Sequence, residues 1–178
     1  WLSGEEWVLD TFRQGGDIYC VTASRMFGVP VDKKGENSEL RTPGKIATLA
    51  CGYGGGASAF DSMAKAYGLT FTEEEKARYV KMWRSANPHT VSLWTTMEKA
   101  FVAAIQSGNL ARPVEVNRSI KVSMQYGCLL VQLPSGRVMS YPRAKAEETP
   151  GGYEITYERM NQTTKKWEVS KTYGGKIV

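Results

Sequence analysis

His89 is the only histidine among the 178 residues. A Ser-His-Asp triad has little to build on, and a multi-histidine metal site has nothing. His89 itself follows Asn87-Pro88 at a helix start, where a surface or capping role is expected. Aspartate is scarce too, confined to Asp10, Asp17, Asp32 and Asp61. Cys20, Cys51 and Cys128 are odd in number and far apart, which suits reduced thiols in a cytosol better than a disulfide framework. No apolar run approaches the ~18–20 residues of a membrane-spanning helix. No basic stretch leads into an apolar run in the manner of a signal peptide. The expected location is cytoplasmic, without a membrane partner.

What is present is ordinary in bulk and uneven in charge. Hydrophobic residues make up 42% and charged residues 23%, the balance of a globular protein rather than a disordered, collagenous or coiled-coil one. The length suits one domain with a real core and not two. Lys and Arg number 23 against 18 acids, a net charge of +5 and a pI of about 9.1. That surplus favours an anionic partner such as nucleic acid or a nucleotide. Trp1 stands in place of an initiator Met, and Gly174-Gly175-Lys176-Ile177-Val178 sounds like the start of another element. The chain is expected to be a piece of something longer.

The first two thirds carry helical periodicity. Trp7, Val8, Leu9 and Phe12 mark one helix, stopped by Gly15-Gly16. Asp17 can cap a second, carrying Ile18, Val21, Ala23 and Met26 up to Gly28 and Pro30. A third run covers roughly Arg41 to Tyr53, either capped by Thr42 ahead of Pro43 or beginning at Ser38 with a kink. Gly54-Gly55-Gly56 breaks it. A short helix over Ala57 to Tyr67 follows, and Thr72 with Glu75 has capping-box spacing for a helix reaching about Ala86. A long one, with Trp94, Met97 and Phe101, ends at Gly108; Trp83, Trp94 and Phe101 are expected in the core. Past Arg112 the period becomes two. Ser119 to Gln125, Cys128 to Leu133, Arg137 to Tyr141, Tyr153 to Met160 and Lys165 to Lys171 are expected strands, with Pro134-Ser135-Gly136 as a hairpin turn. The fold class is α+β: a helical region over 1–111, then a small antiparallel sheet of hairpins over 112–178.

The most informative stretch runs from Arg41 to Gly54. Arg41, Lys45, Leu49 and Tyr53 recur every four residues, so on an α-helix they fan over only ~120° of one face. Arg41 and Lys45 sit ~6 Å apart along the axis, a spacing that suits neighbouring phosphates of one polyphosphate. Leu49 and Tyr53 add an apolar surface and a ring, suited to a sugar and a base. The same spacing also suits a plainer arrangement, with Arg41 and Lys45 solvated and Leu49 and Tyr53 in the core. The glycine triplet follows a helix rather than a strand and lacks a Lys-Ser/Thr ending, so it is expected to be a turn and not a phosphate loop.

The pattern Arg41-x3-Lys45-x7-Tyr53-Gly54 resembles the fingers helix, motif B, of family A (DNA polymerase I-like) DNA polymerases. Trp1-Leu2-Ser3-Gly4-Glu5-Glu6 looks like the sequence after that family's first catalytic motif. Phe12-Arg13-Gln14-Gly15-Gly16-Asp17-Ile18-Tyr19, with Thr22-Ala23 and Phe27-Gly28, resembles the lead-in to the fingers. Leu133-Pro134-Ser135-Gly136-Arg137, with Tyr141-Pro142, looks like the family's Gly-Arg hairpin, and Thr172-Tyr173-Gly174-Gly175-Lys176 resembles the phage-type segment before the next long helix. The motifs span nearly the whole chain in the family's order, and the phage or prophage branch fits best.

The resemblance implies fingers over 1–111 and palm-side hairpins over 112–178. It implies that Arg41 and Lys45 contact an incoming deoxynucleoside triphosphate, with Tyr53 near the templating base and Gly54 allowing close approach. Tyr19 stands where most of the family has a phosphate-touching histidine, and Leu49 where it has Phe or Tyr beside the sugar. Arg137, Arg143 and Lys145 become contacts to the primer–template backbone; solvated hairpin charges are the alternative. The implied cofactor is Mg²⁺, held in the parent enzyme by carboxylates outside this chain, before Trp1 and beyond Val178. No catalytic or metal residue is expected within the fragment, which alone is expected to be inactive. The expected setting is DNA replication in a bacterial host cell. Two other readings remain open: a fragment of a single-subunit RNA polymerase, and a non-catalytic single-strand-binding module with stacking aromatics.

Overall fold

The computed structural model describes residues 1–108, 113–117, 119–150 and 152–172. The expected boundary at 111–112 lies outside the described residues, as does all but Thr172 of the motif running to Lys176. Among the described residues there are six α-helices followed by seven strands in two antiparallel sheets, an α+β fold. Packing divides the chain into Trp1–Ser92 and Leu93–Val178.

The first unit contains α1 (Glu6–Arg13), α2 (Ile18–Phe27), α3 (Arg41–Cys51), α4 (Ala57–Ala66) and α5 (Glu73–Ala86). Asp17 caps α2 as expected: its Oδ1 accepts from the backbone N–H of Tyr19 at 3.0 Å and of Cys20 at 3.2 Å. α5 opens on the expected capping box, with the Thr72 hydroxyl accepting from the Glu75 N–H and the Glu75 carboxylate from the Thr72 N–H. α4 and α5 are tied by Lys76, whose buried ammonium donates to Asp61 and Glu73. Between the helices Phe60, Phe71 and Tyr79 meet with centroids 5.4–5.6 Å apart, and Trp83 is buried.

α3 takes the Ser38 start of the two expected and ends before Tyr53. A 3-10 turn over Ser38–Leu40 runs directly into Arg41, so Leu40 and not Thr42 occupies the cap position. Pro43 falls in the first turn, where its missing N–H has no intrahelical partner to lose. The helix stops at Cys51, and Tyr53 lies in the turn beyond it. Gly44, an awkward residue for a helix interior, has a packing reason. A Cβ there would lie 2.7 Å from the Ala23 Cβ and 2.9 Å from the Tyr19 carbonyl oxygen, so α2 and α3 touch backbone to backbone.

The second unit begins within α6 (Pro88–Ser107), whose Met97, Ala100, Phe101 and Ala104 pack on Ile120, Val122, Leu129, Val131 and Ile155. One sheet has the order β1 (Val114–Asn117), β2 (Ile120–Gln125), β3 (Cys128–Gln132), β4 (Val138–Pro142). The other has β5 (Lys145–Thr149), β6 (Gly152–Met160) and β7 (Trp167–Lys171). β1 and β5 were not expected, and the single expected sheet is two. β1 has only four residues, and β5 reads Lys-Ala-Glu-Glu-Thr, with four of its five positions exposed. In β5, Glu147 and Glu148 are paired with Glu154 and Tyr153 of β6.

Candidate functional site

α3 has a core face and an open face. Gly44, Ile46, Ala47, Ala50 and Cys51 are buried, whereas Arg41, Lys45 and Leu49 are only half-buried. Tyr53, past the helix end, is 74% exposed, so it does not belong to the core. The four-residue row therefore faces away from the packed side, with its aromatic member carried by a turn instead of a helix.

On that open face the two cations converge on one ring. The Arg41 guanidinium lies 5.3 Å from the centroid of Tyr19, and the Lys45 ammonium 5.5 Å from it. Lys45 is also 4.7 Å from the centroid of Tyr67, the residue that caps the C-terminus of α4. Arg41 donates from Nε and Nη2 to Oδ2 of Asp17, at 3.0 and 2.8 Å. The other Asp17 oxygen caps α2, so one carboxylate both starts the helix that bears Tyr19 and holds Arg41. Burial pushes the Asp17 carboxyl up, but the Arg41 hydrogen bond and the two backbone donors outweigh it and leave it below its ordinary value. The same bond, from the other side, raises Arg41 against the opposing pull of burial. Two cations with one carboxylate between them leave net positive charge on this face, suited to an anion of several charges.

Both thiols nearby are buried. Burial pushes Cys20 up, and pushes Cys51 up to about 11. Among the described residues no three His, Cys, Asp or Glu side chains could jointly hold a metal ion. Asp10, Asp17 and Asp61 are engaged by Arg13, Arg41, and Lys65 with Lys76.

The basic residues expected on the hairpins are exposed but not together. Arg137 follows the Pro134-Ser135-Gly136 turn, closed by the Leu133 N–H donating to the Arg137 carbonyl at 2.8 Å. Arg143 and Lys145 lie beyond the other end of β4, a strand of five residues or ~17 Å. Arg143 is also ion-paired with Glu158. These three do not form one patch.

The amino-acid sequence has a relative of known description. Over 180 positions it is 39% identical to a DNA polymerase of Bacillus phage SP02. That similarity takes in the whole of this chain and 27% of the phage protein, so the chain spans about a quarter of its relative's length. No family model matches the chain. Among the described residues no helix is long and apolar enough to cross a membrane. The sequence offers Asp17 as the α2 cap and as part of the lead-in motif but not as the partner of Arg41, and Tyr67 only as a helix end. Asp17 and Arg41 are 24 residues apart, and no local spacing links them. Tyr67 carried only the signal of a helix end, with Gly68 next to it.

Proposed function

We propose that this chain is part of a phage DNA polymerase of the family A kind, bearing the surface that receives the incoming deoxynucleoside triphosphate. The observation that carries this reading is the convergence of Arg41 and Lys45 beside Tyr19 on the open face of α3, in a chain similar along its whole length to a phage DNA polymerase. Arg41 offers a planar fork and Lys45 a point charge to the phosphate tail. Tyr19 offers a hydroxyl that donates to a phosphate oxygen without adding charge. Leu49 lies beside the sugar, and Tyr53 with Gly54 borders the templating base. Arg137, Arg143 and Lys145 meet the primer–template backbone as separate contacts, since β4 keeps Arg137 apart from the other two.

In nucleotidyl transfer the primer 3′-hydroxyl attacks the α-phosphorus and pyrophosphate leaves. The part taken by this chain is to hold and orient the tail that departs. Mg²⁺ supplies charge neutralisation in such enzymes. The carboxylates of the described residues form no cluster that could hold it, so its ligands are proposed to belong to other segments of the parent enzyme.

The test compares binding of a fluorescent deoxynucleoside triphosphate and of a primer–template duplex by the chain and by Lys45→Ala. A charge-assisted phosphate contact is worth ~1.5–3 kcal/mol, so nucleotide affinity should fall roughly ten- to a hundredfold while duplex affinity stays within about twofold. Equal losses for both ligands would show Lys45 to be a general electrostatic contributor and defeat the reading.

A further inference from the structure

We propose that Tyr67 is a positioning residue for Lys45, and that together with Tyr19 it pre-orients the ammonium for the terminal phosphates of a nucleoside triphosphate; this rests on the nucleotide reading of α3. A lysine on an open helix face ordinarily samples many rotamers, and ordering it on ligand binding carries an entropic cost. Here the ammonium lies 4.7 Å from one ring centroid and 5.5 Å from another, within cation–π range of both. The rings come from separate elements. Tyr19 opens α2, and Tyr67 closes α4.

The backbone fixes Tyr67 firmly. Its N–H donates to the Ala64 carbonyl at 2.9 Å, the Gly68 N–H to Lys65 at 3.0 Å, and the Leu69 N–H to Ala64 at 3.0 Å. Gly68 takes the left-handed conformation, φ 71°, that closes a helix in this way. Tyr67 is nevertheless 42% exposed. The ring stands at the surface where the ammonium rests on it. Arg41, in contrast, is held by a carboxylate. The two cations thus have different holders: a counter-charge that an incoming phosphate must compete with, and a pair of π-faces that it need not displace. Preorganisation of this second kind lowers the cost of binding without neutralising the cation.

The test uses the 178-residue chain, with lysine side chains observed by NMR and nucleotide affinity by titration. The Lys45 ε-methylene protons should be displaced upfield by the two rings and should move when a deoxynucleoside triphosphate is added. Tyr67→Leu should return them toward ordinary values and weaken triphosphate binding by about two- to fivefold, the weight of a half-exposed cation–π contact. Tyr67→Phe, which keeps the ring, should preserve both, and monophosphate binding should not change in either variant. Ordinary lysine shifts in the parent chain, or Leu serving as well as Phe, would overturn the positioning role. Lys45→Ala separates the two levels of the argument. If it abolishes triphosphate binding while Tyr67→Leu has no effect, only the role of Tyr67 falls. If it too has no effect, the nucleotide reading of α3 falls with it.

Discussion

Asp17 does two things with one carboxylate. One oxygen caps α2 and the other receives Arg41. Because the folded-state carboxyl sits below its ordinary value of 3.8, its stabilisation is complete above that value and disappears as the pH falls through the lower, folded one. Replacing Asp17 with Ala should cost ~1–2 kcal/mol at neutral pH, through loss of the cap and of the Arg41 ion pair together. Urea unfolding of both proteins at neutral and strongly acid pH checks this. The gap in midpoint should narrow in acid, and a gap that persists there would place the effect elsewhere. The capping half of this arrangement could be read directly, as an Asp immediately ahead of an apolar helical period. The Arg41 half could not, because it depends on how α2 packs against α3.

At the scale of elements, local chemistry was readable wherever a side chain acts on its own backbone. The α5 capping box, the end of α2 at Gly28 and the Pro134-Ser135-Gly136 turn all have this character. β5 is different. Its sequence is mostly charged, and only pairing with β6 makes it a strand. The turn between β2 and β3 hides another departure. Tyr126 and Gly127 both have positive φ, 52° and 74°, as a two-residue primed hairpin demands. A tyrosine in that position is strained, and its side chain is 94% exposed, so it gains no burial in return. Tyr126→Gly should therefore stabilise the chain by ~1 kcal/mol and raise its melting temperature. An unchanged or lower melting temperature in calorimetry would mean the ring makes a compensating contact.

For the molecule as a whole, the helical and strand-rich halves of the sequence do not coincide with the packed units. Periodicity changes after α6, but Leu93 and the residues following it in α6 already belong with the sheets, because Met97, Ala100 and Phe101 form the core those strands cover. The sequence pattern marks where secondary structure changes, not which partner a helix chooses. Primer extension tests the chain as a unit. Purified and supplied with Mg²⁺, it should extend no primer, since Asp10, Asp17 and Asp61 are committed to ion pairs, Asp32 stands apart from them, and no carboxylate cluster among the described residues can hold metal. Extension above a buffer control would refute this. Motion within the first unit is constrained by Gly44. Where most helix pairs slide over an intervening layer of side chains, α2 and α3 have no such layer at this point to shear. The cations of α3 and the carboxylate and ring of α2 that steady them therefore mesh across a seam of bare backbone, as the teeth of two gears do.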